Sequence, residues 1–195
     1  MIDLGNKIES VNHVPHQKLI VEYSYILNDD GVFPNSRLPV LIYKNILDFP
    51  LFFEATYITN LFQKNNWTNS WKSGIFTCHH YHSNAHEVLG VYKGKTCVLF
   101  GGENGVKVTV EKGDVIIIPA GVAHKNLQKE HDVCCVGAYA EGKKYDINTG
   151  EPGERPLTDS NIAHVPLPDR DPVLGLKGGI EKYWKNMGGG AELSA

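Results

Sequence analysis

The sequence predicts an all-β protein, a barrel or sandwich of short strands, and three observations carry the prediction. From Ser73 to about Ala140, short apolar runs follow one another. They are parted by Gly94, by Gly101-Gly102-Glu103-Asn104-Gly105, by Gly113-Asp114 and by Pro119-Ala120-Gly121. No long helical pattern interrupts them, as a parallel α/β sheet would require. Finally, 195 residues with 42% hydrophobic and 21% charged side chains is the composition of one globular domain able to bury a real core.

In chain order, residues 1–17 are polar and patternless. Residues 18–27 contain Leu-Ile-Val-Glu-Tyr-Ser-Tyr-Ile-Leu, a strand, and a turn-rich stretch follows from Asn28 to Ser36. Residues 39–46, rich in Val, Ile and Leu, form a second strand. The period then changes. Leu51, Ala55, Ile58 and Phe62 recur at helical spacing, predicting a helix over 50–65 with Asp48 as N-cap and Pro50 in its first turn. Strands are predicted at 74–82, 87–93, 95–100, 105–111, 114–118, 123–128 and 132–139. Beyond Tyr139 the chain is loop-rich, with one short amphipathic helix marked by Ile180, Tyr183, Trp184 and Met187. Val165, Leu167, Val173, Leu174 and Trp184 give this tail apolar anchors with which to wrap the barrel. The whole of 1–195 reads as one domain: N-terminal strands and helix (1–72), barrel (73–140) and C-terminal wrap (141–195).

Charge and composition narrow the partners. The net charge is −3 and the longest basic run is Lys143-Lys144, whereas binding phosphates needs clustered positive charge, so no nucleic-acid partner is expected. No apolar stretch approaches the roughly 20 residues of a membrane span, so no membrane partner is expected either. The opening MIDLGNKIES carries Asp3, Lys7 and Glu9 where a signal peptide needs an apolar core, which points to the cytoplasm. Four cysteines without a Cys-x-x-Cys suggest neither a disulfide scaffold nor a zinc ribbon. Cys134 and Cys135 read as small buried hydrophobes.

Chemistry concentrates in one short segment. His79, His80, His82 and His86 fall within eight residues, beside Glu87. In a strand, residues i and i+2 share a face, so His80 and His82 point together while His79 points away. Glu87 opens the next strand, and His124 follows the turn Pro119-Ala120-Gly121. Three imidazoles and a carboxylate from separate strands make a concave ligand set with open positions.

This constellation resembles the cupin superfamily. Gly74, His80, His82, Glu87 and Gly94 match its first motif, and Gly113, Pro119, Gly121 and His124 its second. The second motif's terminal asparagine is displaced: Asn126 stands two residues after His124 rather than four. The wider context is similar to an uncharacterised bacterial single-cupin subgroup. The resemblance implies a double-stranded β-helix, or jelly roll, with His80, His82, Glu87 and His124 holding one divalent transition metal ion (Fe, Mn, Ni, Co or Zn). Asn126, with Gln128 behind it, would orient a substrate. His86 is adjacent to Glu87, so alternation turns it away; a one-residue slip would exchange the two. His13, His16, His131 and His164 read as ordinary surface or core histidines. Cys78 shares the face of His80 and is expected to pack below the metal.

A metal held by imidazole and carboxylate inside a barrel is reactive rather than structural, since structural zinc sites are closed and often carry cysteine. The resemblance therefore implies a metal-dependent enzyme, of dioxygenase type, acting on a small polar organic molecule. A non-catalytic metabolite- or sugar-binding cupin is the alternative, and a sugar isomerase or epimerase the third reading. Exposed strand edges and the resemblance imply a homodimer, with the 18–46 strands covering an edge or swapping into a partner. Inward-facing side chains from 95–111 and 131–139 are expected to set the size of the pocket.

Overall fold

The structure is a computed structural model and describes residues 21–186. It contains eight antiparallel strands: β1 (Val21–Leu27), β2 (Ser36–Lys44), β3 (Trp67–Ser73), β4 (Glu87–Phe100), β5 (Val106–Glu111), β6 (Val115–Ile118), β7 (His124–Asn126) and β8 (Val133–Ala140). Helix α1 (Glu54–Lys64) precedes β3, and α2 (Leu157–His164) and a π-helical turn at Ile180–Lys185 follow β8. The main sheet runs β1-β2-β6-β4-β8-β3, open at its β1 and β3 edges. The far half of β4 pairs with β5 and β7 to make the second layer. This is the predicted jelly-roll class, with the first two strands extending the sheet beside β6.

The main sheet is apolar on both faces because both are covered. Ile42, Leu89, Val91, Ile116 and Ile118 face inward and meet Val98, Phe100 and Val110 of the second layer. Leu41, Tyr43, Val88, Val115 and Ile117 face outward and are covered by Ile58 and Phe62 of α1 and by Ile180 and Trp184 of the tail. Burial on both sides explains why β6 reads Val-Ile-Ile-Ile without alternation.

Four expectations are corrected. Residues 74–82 are not a strand: the paired segment lies earlier, at Trp67–Ser73, and 74–82 touches neighbours only through the bridges His80–His124 and Tyr81–Asn148. Gly94 does not divide two strands. It sits inside β4 at φ +79, where a Cβ would lie 1.9 Å from the Asp132 carbonyl, and the β4–β8 register shifts just before it. The first helix starts at Glu54, not near 50: the Leu47 N–H is tied to the Gly113 carbonyl (3.0 Å), the chain bends at 51–52, and Phe53, at φ +64, precedes the first helical turn. Leu51 is therefore 93% exposed instead of joining the helix face. Fourth, the loop-rich tail contains the unforeseen α2. The tail does anchor as expected through Leu167, Val173, Leu174 and Trp184, whereas Met187 lies outside the described residues.

Candidate metal centre

Glu87 opens β4 between β6 and β8, directly opposite Ile118 and Tyr139. His124 opens β7, exchanging backbone hydrogen bonds with His80 (3.0 and 3.2 Å). The intervening turn is docked on the same segment: the Gly121 N–H donates to the His82 carbonyl at 2.8 Å. Gly121 has φ +91, and a Cβ there would lie 2.2 Å from the Asn35 carbonyl, so the motif glycine is required sterically.

These pairings gather three imidazoles around one carboxylate. His82 Nε2 and His124 Nε2 lie 3.5 and 3.4 Å from Glu87 Oε2. The His80 ring stands 4.2 Å from that of His124 and 5.6 Å from that of His82. His80, His82, Glu87 and His124 are all buried. Among the described residues no group of three or more His, Cys, Asp or Glu side chains is arranged, as it stands, to hold a metal ion. The set is two Glu87-centred contacts with His80 one ring further out.

Each imidazole is oriented by its other nitrogen. Nδ1 of His124 faces the Val122 carbonyl (3.1 Å), Nδ1 of His80 the Cys78 carbonyl (3.4 Å) and Nδ1 of His82 the Asp146 carbonyl. A carbonyl offers no proton, so these bonds require N–H at Nδ1 and leave a lone pair on each neutral Nε2. Three lone pairs and a carboxylate then converge, and His82 Nε2 and Glu87 Oε2 lack hydrogen-bond partners. A metal fits the donor chemistry, since bonds of about 2.1 Å put neighbouring ligand atoms roughly 3.0–3.5 Å apart.

Electrostatics follow from the same convergence. Burial works to raise the Glu87 pKa, but His82 and His124 outweigh it and hold the carboxyl well below its usual range. Burial opposes charge on His82, yet Glu87 raises its pKa above the ordinary value. His80, desolvated and beside His124, is pushed down to about 3. Tyr139 donates to Glu87 Oε1 (2.9 Å) and accepts from the Trp71 indole (3.0 Å); burial and Glu87 raise its pKa, so it keeps its proton.

The remaining predicted residues are placed as follows. His86 lies on the opposite face, its ring 4.8 Å from Trp184 and its Nδ1 accepting from the Ala120 N–H (2.9 Å), so Glu87 and not His86 joins the cluster. His79 also points away, 5.1 Å from the Phe33 ring. Asn126 does not reach the cavity: its amide accepts from Thr96 and the Gln128 N–H and donates to the Lys129 carbonyl, so it braces the β7 turn. Gln128 is exposed, as are His131 and His164, and His13 and His16 lie outside the described residues. Cys78 is exposed rather than packed below the cluster, and Cys134 is half-buried beside buried Cys135.

A cavity of about 230 Å³ opens onto the cluster. Its wall is not drawn from 95–111, and from 131–139 only Tyr139 contributes. The rest comes from Trp71–Phe76, Leu89, Tyr145 and Ile147. The 145–148 segment was not foreseen. Tyr145 stacks on Tyr139 (4.2 Å, 19°), and Asp146 accepts from the Ser83 N–H (2.7 Å) and hydroxyl while its carbonyl orients His82. Asn161 of α2 donates to Ser83 Oγ at 2.9 Å, so the tail helix is linked to the cluster. No sequence period marks such a strap.

Jelly-roll topology, both glycine-bounded motifs and the His/Glu cluster define the class: the chain belongs to the cupin superfamily. A family model described as Cupin matches residues 71–143. The uncharacterised protein YjlB of Bacillus subtilis (strain 168) is 36% identical over 162 residues, which is 83% of this chain and 95% of YjlB. Fainter structural likenesses include an acireductone dioxygenase from Bacillus anthracis with a cadmium ion in its active centre (19% identity, 47% of this chain, 62% of that one, TM-score 0.35). Another is a DUF861 family protein from Thermotoga maritima (23% identity, 51% of this chain, 96% of that one, TM-score 0.30). No helix among the described residues is long and apolar enough to cross a membrane.

Proposed function

We propose that the protein is a metal-dependent enzyme, a dioxygenase-type oxidoreductase acting on a small polar organic molecule. One divalent transition metal ion (Fe, Mn, Ni, Co or Zn) is held by His80, His82, Glu87 and His124. The observation that carries this reading is the convergence of unpartnered His82 Nε2 and Glu87 Oε2 beside two further imidazoles at the floor of a cavity. When bound, such a metal anchors substrate oxygens and activates dioxygen or water beside them. The chain's own residues prepare the floor. Tyr139 keeps its proton and donates it to Glu87 Oε1, leaving Oε2 turned toward the histidines. Backbone carbonyls fix the imidazole tautomers, and Phe76, Tyr145 and Ile147 line the cavity above the floor. The reading includes cytoplasmic location and a homodimer, without nucleic-acid or membrane partners.

A metal-free, metabolite-binding cupin is the second reading, favoured by one observation: Glu87 and His82 can serve each other as a buried ion pair at 3.5 Å. Elemental analysis of untagged protein purified without chelator separates the two. The expected result is about one metal ion per chain, lost in His82→Ala. Iron together with substrate-dependent oxygen uptake supports the oxygenase. Nickel, manganese or zinc keeps the ligand set and moves the reaction toward isomerase or lyase chemistry. No metal, even after reconstitution, overturns the proposal and leaves ligand binding, read by thermal shift without turnover.

A further inference from the structure

Two local rules are broken at one place, the loop that leads into α1. Turn-forming loops favour small and polar residues, yet Leu51, Phe52 and Phe53 stand in succession at 93%, 71% and 82% exposed. Among the described residues no other stretch exposes two large hydrophobic side chains in a row. Phe53 also occupies the N-cap of α1 in the left-handed region, at φ +64 and ψ 38, and offers the helix no side-chain hydrogen bond. Asn, Asp or Ser would cap the helix there, and Asn or Gly would tolerate the backbone; a bulky aromatic residue does neither. Helix stability and solubility are given up at the same three positions, which marks a contact surface.

Charge, area and the rest of the chain select what meets it. Lys112 lies over the Phe49 ring (5.2 Å) and pairs with Glu54, and the neighbouring Glu111 pairs with Lys95 (3.1 Å). The cations beside the loop are thus matched by carboxylates, whereas an anionic membrane or a nucleic acid calls for surplus positive charge. Residues 1–17 are polar and patternless in sequence, so they offer no apolar stripe to lay across the loop. At roughly 200 Å² for a large apolar side chain, the three residues present about 500 Å². Two such loops closed on each other hide about 1,000 Å², the least that a specific interface buries. Half-buried Phe49 and Tyr57, edge-on to one another at 6.0 Å, and the Glu54–Lys112 pair add a rim. A rim that carries both charges is self-complementary across a two-fold axis.

We infer that the 51–53 loop is the face through which two copies of this chain meet, an isologous contact of apolar side chains at the entrance to α1 and not a pairing of strand edges. The inference rests on the homodimer of the reading above and is independent of its metal centre. The loop adjoins the helix that covers the outer face of the main sheet, whereas the cavity over the histidines is walled by Leu89 of the inner face.

The test is sedimentation velocity of the full chain between about 1 and 100 μM, with Phe52→Asp and Phe53→Asn as variants. Asn suits a left-handed N-cap, so Phe53→Asn removes the ring without disfavouring the helix. The wild type is expected to be dimeric at the upper end, and each variant to raise the dissociation constant about tenfold or more. Where both proteins are monomers, Phe53→Asn is expected to melt no lower than the wild type. A wild type still monomeric at the highest concentration overturns the homodimer and this face together. A dimer of wild-type strength in either variant overturns this face alone and leaves the open β1 edge as the alternative. A Phe53→Asn monomer that melts below the wild-type monomer also overturns it, because the ring would then be packed by its own chain. Metal content of the same samples is expected to be unchanged by the substitutions; a metal-free protein that dimerises through the loop defeats the metal centre and upholds this inference.

Discussion

Tyr139 joins the core to the site through a single oxygen, accepting from Trp71 at 3.0 Å and donating to Glu87 Oε1 at 2.9 Å. Trp71 can lie this close only because position 137 is glycine: a Cβ there would fall 2.1 Å from the indole ring. Tyr139→Phe deletes the donor to a buried carboxylate and the acceptor for a half-buried indole. The expected loss is about 2 kcal/mol of unfolding free energy, seen as a lower urea midpoint at unchanged slope. An unchanged midpoint would mean that water serves Glu87 equally well. The four clustered residues were legible in the sequence because fixed spacing on a period of two puts His80 and His82 on one face and the glycine turns set where Glu87 and His124 begin. Tyr139 was not. It meets Glu87 across 52 residues by cross-strand register, which local pattern does not encode. Asn126 shows the converse: its face was read correctly, yet Thr96 and the Lys129 carbonyl claim its amide.

Among the elements, β2, β5, β6 and β8 stand within three residues of their predicted ends, since continuous or alternating apolar runs bounded by turns describe them well. The failures share a physical cause. Trp67–Ser73 is an edge strand with five polar residues and a register shift against β8, so it lacks an apolar signature. Residues 74–82 looked strand-like but spend their backbone on isolated bridges that aim the histidines. The strap at 145–148 is recognisable only by its partners, Tyr81, Ser83 and Asn84. Asp146→Ala should free this strap and with it the carbonyl that orients His82. Metal affinity is then expected to fall about 10–100-fold in a chelator competition while far-ultraviolet circular dichroism stays unchanged. Asp146→Asn, which keeps an oxygen for the Ser83 N–H, should retain much of it. Equal affinity in wild type and Asp146→Ala would remove the strap from any role at the centre.

At the scale of the molecule, the tail is fastened to the outer face of the main sheet around Tyr43, as the apolar residues beyond 165 foretold. What they did not foretell is the polar clasp beneath them. The Tyr43 hydroxyl donates to Asp171 and accepts from the Gly179 N–H at 2.7 Å, and Asp171 also accepts from the N–H groups of Val173 (3.0 Å) and Leu174 (2.9 Å). Glu22 of β1 reaches the same spot with Oε1 buried and without a hydrogen-bond partner. Burial raises the pKa of Asp171, and burial with Asp171 nearby raises that of Glu22, against the pull of Lys182. A carboxyl whose pKa is raised by folding binds its proton more tightly in the native state. Its ionised form therefore weakens the fold above the folded pKa, and the penalty disappears as pH falls toward the ordinary carboxylate range. This is opposite in sign to the effect of Glu87, whose depressed pKa stabilises the fold above the ordinary carboxylate range, a contribution lost progressively as the pH falls below that range. Replacing Glu22 by Gln removes one of the two facing charges. Glu22→Gln should accordingly melt at a higher temperature than wild type near pH 7.5, and the gap should narrow steadily on acidification to about pH 4. Melting curves across that range decide the matter: a gap that widens in acid would show that the attraction of Lys182 for ionised Glu22 outweighs its desolvation beside Asp171.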